Sequence, residues 1–151
     1  MHEVEVRKRI GLGCDAFREN EGDLLRLGVG ERTVAARLML HLSRCFPEFD
    51  VDVEYNRAGV APKRVNWAEN SPDASVDLVL PDIVIHRRGS DASNLVVLEV
   101  KKSSATLLQL ANDRAKLRAI RDVFRYSFAV AVLLTAPHAG SSADVECEFV
   151  M

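Results

Sequence analysis

Two acidic residues and a lysine stand near the ends of two apolar segments of this sequence. The segments are Pro81-Asp82-Ile83-Val84-Ile85-His86 and Leu95-Val96-Val97-Leu98-Glu99-Val100-Lys101. Successive side chains of a β-strand point to opposite faces, so Glu99 and Lys101 project from the same face of the second segment. Carboxylates and an ammonium group at adjoining strand ends suit a cation-dependent hydrolysis of phosphodiesters.

A hairpin would bring the two segments together. The residues between them, Arg88-Gly89-Ser90-Asp91-Ala92-Ser93, are of the types that join antiparallel strands. If Arg87 pairs with Asn94, the antiparallel register places Asp82 directly opposite Glu99, with Cβ atoms about 4.5–5.5 Å apart. Two carboxylates that close repel each other or take up a proton unless a cation lies between them. The register therefore predicts a cation site.

Oxygen ligands of this kind favour Mg²⁺ or Mn²⁺ as the cofactor. A bound ion would polarise a phosphoryl oxygen and lower the pKa of a bound water. Lys101 could orient that water or offset the charge that builds on the phosphate. In the alternative interpretation Asp82 and Glu99 simply end their strands, and Lys101 and Lys102 form a solvated edge.

Length and composition indicate one globular domain. The 151 residues are enough for one core and too few for two ordinary domains, so residues 1–151 are assigned to a single domain with residues 1–29 as an N-terminal helical extension. No segment approaches the roughly 20 apolar residues of a membrane span, and the charged start is unlike a secretory signal. A cytoplasmic location without membrane association is the expectation. Three cysteines with no paired short spacing suggest neither a disulfide framework nor a zinc ribbon.

A formal net charge of −2 argues against binding of nucleic acid through overall positive potential. Local basic patches must then supply the contacts, and Trp67 in the irregular segment 58–75 could stack on a base. A row of arginines on a later helix is equally explained as a solvated face. The candidate contacts to nucleic acid are Arg57, Lys63, Arg64, Arg87 and Lys102.

Apolar spacing predicts helices over about residues 4–20, 31–46 and 105–125. Alternation and apolar runs predict strands over about 49–57, 82–86, 95–101, 127–135 and 145–150. Glu31 lies four residues before Ala35 on the inward stripe of the second helix, which favours a role at the site over a simple partnership with the helix dipole. Asp113 occupies an apolar position of the third helix and needs a partner if buried, either Lys101 or Lys116.

The element order helix, strand, strand, strand, helix, strand, with Pro81-Asp82 and Glu99-Val100-Lys101, resembles the PD-(D/E)xK nuclease superfamily. The resemblance covers residues 30–135 and implies an α/β fold with a restriction-endonuclease-like core, a central mixed β-sheet flanked by helices. It also implies that Asp82, Glu99 and the Val100 carbonyl bind one or two magnesium ions and that Lys101 assists the attacking water. Glu31 matches an acid that many members place near the start of the first core helix.

Gly30-Glu31-Arg32 ahead of an apolar helix is similar to the opening of archaeal-type Holliday junction resolvases. The main hypothesis is a metal-dependent nuclease, with DNA favoured over RNA as the substrate, and a homodimer would let so small a domain reach both strands. A second hypothesis is a catalytically silent module of the same fold that binds nucleic acid or protein in a repair or defence assembly. A third is a plain structural domain in which the charged residues form only ion pairs.

Overall fold

A mixed β-sheet between two layers of helices forms the protein. The computed structural model describes residues 1–58, 61–62, 64–65, 77–78, 80–137 and 141–151. In these residues a five-stranded sheet is covered by two helices on one face and by a third helix on the other. The predicted α/β class with a central mixed sheet flanked by helices is confirmed.

The helices are α1 (Glu3–Arg26), α2 (Glu31–Cys45) and α3 (Leu107–Phe124). The strands of the main sheet are β1 (Asp50–Val53), β6 (Ile83–His86), β7 (Val96–Lys102), β8 (Phe128–Thr135) and β9 (Asp144–Phe149). Between β1 and β6 lie four two-residue strands, β2 (Arg57–Ala58), β3 (Ala61–Pro62), β4 (Arg64–Val65) and β5 (Asp77–Leu78). β2 pairs with β3 and β4 with β5, both antiparallel.

The main sheet has the strand order β1-β6-β7-β8-β9. Only β7 and β8 are parallel, and the connection between them runs through α3, as a parallel pair requires a crossover. Thr106 starts α3 with a capping box, in which its hydroxyl accepts from the backbone N–H of Gln109 and the Gln109 side chain accepts from the Thr106 N–H. This crossover places α3 over the ends of β7 and β8.

The larger core lies between the sheet and the α1/α2 pair. Val6, Ile10 and Phe17 of α1, at helical spacing, are buried against α2 and the sheet, so the helix predicted as an N-terminal extension packs into the common core. At Gly13 the two helices come so close that an added Cβ would lie 2.6 Å from Leu42 Cδ2. The smaller core, under α3, contains Leu117, Ile120 and sheet residues of the opposite face.

Two element boundaries differ from the predicted ones. α1 continues to Arg26 because its apolar stripe extends to the buried Leu25, and Gly28 with a φ of +69° then ends the turn. β1 ends at Val53 rather than near residue 57, because Glu54 takes a φ of 49° that does not continue a strand. Part of the segment predicted as irregular forms β3 and β4, while Lys63 and Trp67 lie outside the described residues.

The hairpin of β6 and β7 has the predicted register over its paired residues. Ile83 lies opposite Leu98, Val84 opposite Val97 and Ile85 opposite Val96. The predicted pairing of Arg87 with Asn94 is wrong, because Arg87 bridges Ser90 through a tight turn in which Gly89 has a φ of +75°. Asn94 instead donates its side-chain amide to the Phe124 carbonyl at 2.7 Å.

Within the described ranges, no helix has both the length and the apolar character that crossing a membrane requires.

Candidate active site

Asp82 and Glu99 project from the sheet face that α3 covers. Asp82 immediately precedes β6, and continuing the observed register by one residue places it opposite Glu99 of β7. Both residues share the side-chain direction of Val84 and Val97, which pack under α3. The two carboxylates predicted to be neighbours therefore lie on one face rather than on opposite surfaces of the sheet.

Asp82 is held by the backbone of the neighbouring strand. Its Oδ2 accepts a hydrogen bond of 2.7 Å from the Val100 N–H, and its own carbonyl accepts from the Glu54 N–H at 3.2 Å. Burial raises the pKa of Asp82 above its usual value, and the Val100 hydrogen bond partly offsets that rise. Asp82 is thus fixed in position with one carboxylate oxygen committed to the backbone.

Glu99 is the most unusual carboxylate of the site. Its side chain is in the middle of β7 and only 5% of the residue is exposed. Lys116 of α3 places its Nζ 2.8 Å from Glu99 Oε1 and forms an ion pair with it. Burial, followed by the charge of Asp82, raises the pKa of Glu99 to about 7. Near neutral pH this carboxyl therefore exists in both its protonated and its ionised form.

Lys101 lies between an acid of α2 and an acid of α3. Its Nζ is 3.5 Å from Glu31 Oε2 and 3.6 Å from Asp113 Oδ2. Burial alone would lower the pKa of Lys101, but the charges of Asp113 and Glu31 outweigh it and raise the pKa above the usual value. Lys101 is therefore an ammonium group at physiological pH, held between the two helices at the end of β7.

Glu31 and Asp113 have different environments around this lysine. Glu31, the first residue of α2, also accepts a hydrogen bond of 3.2 Å from the Lys102 N–H, which ties the end of β7 to the helix. Asp113 is partly buried as predicted, and its Oδ2 has the Lys101 ammonium at 3.6 Å, beyond hydrogen-bond distance. Lys101 rather than Lys116 is the partner of Asp113, since Lys116 reaches Glu99.

The donors at this site suit a magnesium-type ion held by few protein ligands. Within the described part of the chain, no group of three or more His, Cys, Asp or Glu residues could hold a metal ion. Mg²⁺, however, is commonly bound through one or two carboxylates, with waters and substrate phosphates completing its shell. Asp82 and Glu99, two carboxylates on one face of the β6–β7 hairpin, offer that smaller set, so the residues present fit such an ion.

A cavity of about 160 Å³ lies under α3. Glu99, Lys101 and Asp113 line it beside the apolar side chains of Leu110 and Leu133. Glu99 and Lys101 thus border an open space. A comparable volume, about 150 Å³, is enough to hold a benzene ring in an engineered protein cavity.

The predicted nucleic-acid contacts are not all brought to this site. Arg87 lies five residues from Asp82 at the far end of β6, about 16 Å along the strand, and its guanidinium stacks 5.7 Å from the Phe49 ring centroid. Lys102 is next to the site, with its Nζ 3.3 Å from the Gly28 carbonyl. Arg57 and Arg64 lie on β2 and β4. Lys63 is outside the described residues.

The arginines of α3 contact β9 and the two residues that follow it. Arg114 pairs with Glu148, Arg118 donates to the Met151 carbonyl at 3.0 Å, and Arg121 donates to the Val150 carbonyl at 3.0 Å. These contacts fix α3 against β9. Sequence reasoning missed the contact between Lys116 and Glu99, although Lys116 lies three residues after Asp113, on the same side of the helix.

Comparisons of this chain with protein-family models, with curated proteins and with solved structures find no match. The likeness to PD-(D/E)xK nucleases therefore depends on the three motif residues Asp82, Glu99 and Lys101 and on the order of the elements. Its consequences for function are proposals.

Proposed function

We propose that this protein is a nuclease that uses Mg²⁺ or Mn²⁺ to hydrolyse phosphodiester bonds, with DNA as the favoured substrate. The observation that carries the proposal is the buried Glu99 carboxylate, which lies opposite Asp82 and has the Lys116 ammonium as its ion-pair partner at 2.8 Å. Two carboxylates placed opposite each other repel when both are ionised, and the charge of Asp82 accordingly helps to raise the pKa of Glu99. A cation between the two carboxylates would relieve that repulsion.

The proposed roles follow from position. Asp82, Glu99 and the Val100 carbonyl would hold the ion, which when bound polarises a phosphoryl oxygen and acidifies a water. Lys101 would orient the attacking water and offset the charge on the phosphate, since its ammonium stays charged beside Asp113 and Glu31. Glu31 and Asp113 act as positioning residues, because they hold Lys101 from α2 and α3.

The arrangement of elements supports this assignment. The sequence α2, β1, β6, β7, α3, β8 follows the helix-strand-strand-strand-helix-strand order of the restriction-endonuclease-like core, with the four short strands as an insertion before β6. The acids lie at the central hairpin of that order, as the superfamily likeness implies. A cytoplasmic homodimer acting on duplex DNA remains part of the proposal.

The test is a cleavage assay with purified protein. Duplex DNA, single-stranded DNA, branched DNA and RNA are each incubated with Mg²⁺ or Mn²⁺, and at least one should be cut. Asp82→Asn and Lys101→Met should each lower the rate constant for cleavage by about 100-fold or more, the usual effect of removing one group that stabilises the transition state.

Lys102→Met is the matched control, because it removes the same charge from the adjacent residue. The Lys102 ammonium contacts the Gly28 carbonyl and not the acids of the site. This variant should keep kcat within a few-fold of the wild type, and any defect should be in KM. Equal rates for Lys101→Met and the wild type would show that the assignment of residues is wrong.

One observation favours a second candidate, a catalytically silent binding module. Lys116 already lies 2.8 Å from Glu99 Oε1 and neutralises part of the charge that a metal would neutralise. Calorimetry separates the two candidates, because a silent module should bind neither Mg²⁺ nor Mn²⁺ in a manner that Glu99→Gln abolishes. A nuclease should show Glu99-dependent binding even before its substrate is known.

A further inference from the structure

Two of the three cysteines meet on the opposite side of the sheet from the candidate active site. Cys14 of α1 and Cys147 of β9 have their Sγ atoms 3.1 Å apart, although 133 positions separate them in the chain. Cys14 is buried and Cys147 is partly buried, while Cys45 lies elsewhere, at the end of α2. The three residues are free thiols in this structure.

The surroundings hold the two thiols in place. Cys14 packs in the larger core with Val6, Ile10 and Phe17 of the same helix. On β9, two residues beyond Cys147, the Phe149 ring lies 3.9 Å from the guanidinium carbon of Arg7 of α1. Packing and this cation–π contact together fix α1 against β9, so the approach of the sulfurs follows from the fold.

We propose that Cys14 and Cys147 are a redox modification site that forms an intramolecular disulfide, which joins the first helix to the last strand. A disulfide needs the sulfurs about 2.05 Å apart, so they must approach by roughly 1 Å, a displacement that side-chain rotation can supply. No spacing of cysteines in the sequence indicates this pair, because only the folded topology brings residues so distant along the chain together.

The proposed step is a thiol–disulfide exchange with a low-molecular-weight disulfide as the oxidant. The Cys147 thiolate attacks one sulfur of the oxidant and expels the first thiolate. Cys14 then loses its proton and attacks the Cys147 sulfur of the mixed disulfide, expelling the second thiolate. The protein loses two electrons and two protons, and the oxidant is reduced to two thiols.

The order of attack follows from the two environments. Cys147 is the more exposed sulfur and lies on the edge strand of the sheet. The hydrogen bond between the two sulfurs lowers the pKa of Cys147, while the same bond and burial raise the pKa of Cys14. Cys147 is therefore the first nucleophile and Cys14 the resolving thiol.

The test is refolding of the full-length chain from urea in a buffer of oxidised and reduced glutathione, so that access to the folded thiols does not limit the reaction. Thiol titration should then find one free thiol in place of the three of the reduced chain. Peptide mapping should find Cys14 joined to Cys147. Because the bond closes a very long loop, the urea midpoint should rise by about 1–2 M and return on addition of dithiothreitol.

Cys45→Ser is the matched control and should retain the oxidant-dependent rise of the midpoint. Cys147→Ser should lose it, and Cys14→Ala provides a second variant in case the buried hydroxyl of a serine is not tolerated at either position. If the wild type keeps three thiols, or if the joined peptides contain Cys45, the proposal is wrong. A Cys14–Cys147 bond that leaves the midpoint unchanged would overturn its role in locking α1 onto β9.

Discussion

Two clusters of ionisable side chains lie on the same face of the sheet, at opposite ends of β6, and they differ in how completely their carboxylates are hydrogen-bonded. At the far end the His86 Nε2 lies 2.9 Å from Asp52 Oδ2, and Arg88 donates to both Asp52 oxygens. At the near end Glu99 Oε1 has one ammonium group, that of Lys116, at 2.8 Å, and Asp113 Oδ2 lies 3.6 Å from the Lys101 ammonium.

The pKa values follow the same division. Arg88, and then His86, lower the pKa of Asp52 below its usual value, whereas burial and Asp82 raise the pKa of Glu99 to about 7. A carboxylate whose pKa is lowered in the folded protein stabilises the fold in its ionised form, and one whose pKa is raised destabilises the fold in that form. Buried acids with raised pKa values are enriched at functional sites. We therefore infer that the Asp52 cluster serves the fold, and that the Glu99 cluster is the one that the proposed function would use.

The largest expected effect that would sharpen this comparison is the contribution of Glu99 to the pH dependence of the free energy of unfolding. The folded-state pKa is about 7 against an ordinary value of 4.5, so the protonated form is favoured by folding. The stabilisation of the fold by the protonated Glu99 carboxyl is fully present below pH 4.5 and is lost as the pH rises through 7. In metal-free buffer, the free energy of unfolding of Glu99→Gln should therefore rise by roughly 3 kcal/mol, relative to that of the wild type, as the pH is raised from 4.5 to above 7.

Urea unfolding at a series of pH values measures this difference, and Glu21→Gln is its matched control. Glu21 is bound by Arg37 and His41, and the Arg37 hydrogen bond lowers its pKa. The stabilisation by the ionised Glu21 carboxylate is present above the usual pKa of 4.5 and is lost as the pH falls below it. The difference in unfolding free energy from the wild type should therefore change with pH in opposite directions for the two variants. If the unfolding free energies of the wild type and of Glu99→Gln changed in parallel with pH, the raised pKa of Glu99 would be contradicted.

A smaller effect is expected at the Asp52 cluster, at the far end of β6. Asp52→Asn leaves only one acceptor oxygen for His86 and Arg88, and His86 is only 2% exposed. The variant should lose about 2 kcal/mol of stability at pH 7, the scale of hydrogen bonds to a charged group. Chemical denaturation gives the value, and cleavage of nucleic acid by the folded variant should be unchanged. Loss of cleavage without loss of stability would reverse the assignment of the two clusters.

The sequence predicts the geometry at Asp82 and Glu99 because that geometry is local. The period of two along a strand and the composition of the connecting hairpin determine which residues face each other. The same applies to Asp113, which lies on the inward stripe of α3. The pairing of Arg87 with Asn94 fails for a local reason as well, since the left-handed turn at Gly89 closes the hairpin earlier.

Other contacts depend on how the helices pack on the sheet, so no short segment of the sequence predicts them. Lys116 reaches Glu99 only once α3 crosses over β7, and Cys14 meets Cys147 only when α1 covers β9. His86 and Asp52 are likewise 34 positions apart and are joined by the pairing of β1 with β6. Long-range pairs of this kind follow from the topology.

The smallest effect tests whether Lys116 competes with a metal for Glu99. The Lys116 ammonium, 2.8 Å from Oε1, occupies the approach to the oxygen that the ion would use. Lys116→Gln should therefore bind Mg²⁺ about 3- to 10-fold more tightly, equivalent to roughly 1 kcal/mol. Isothermal titration calorimetry measures the change.

Arg114→Gln, two residues earlier on α3, removes one positive charge whose partner is Glu148, and it should leave the affinity within about two-fold of the wild type. Weaker binding in Lys116→Gln than in Arg114→Gln would mean that Lys116 supports the ion rather than competing with it. Equal affinities of the two variants for Mg²⁺ would show that Glu99 Oε1 is not a ligand of the ion. The near end of β6 would then be, like the far end, a cluster of ion pairs that serves the fold.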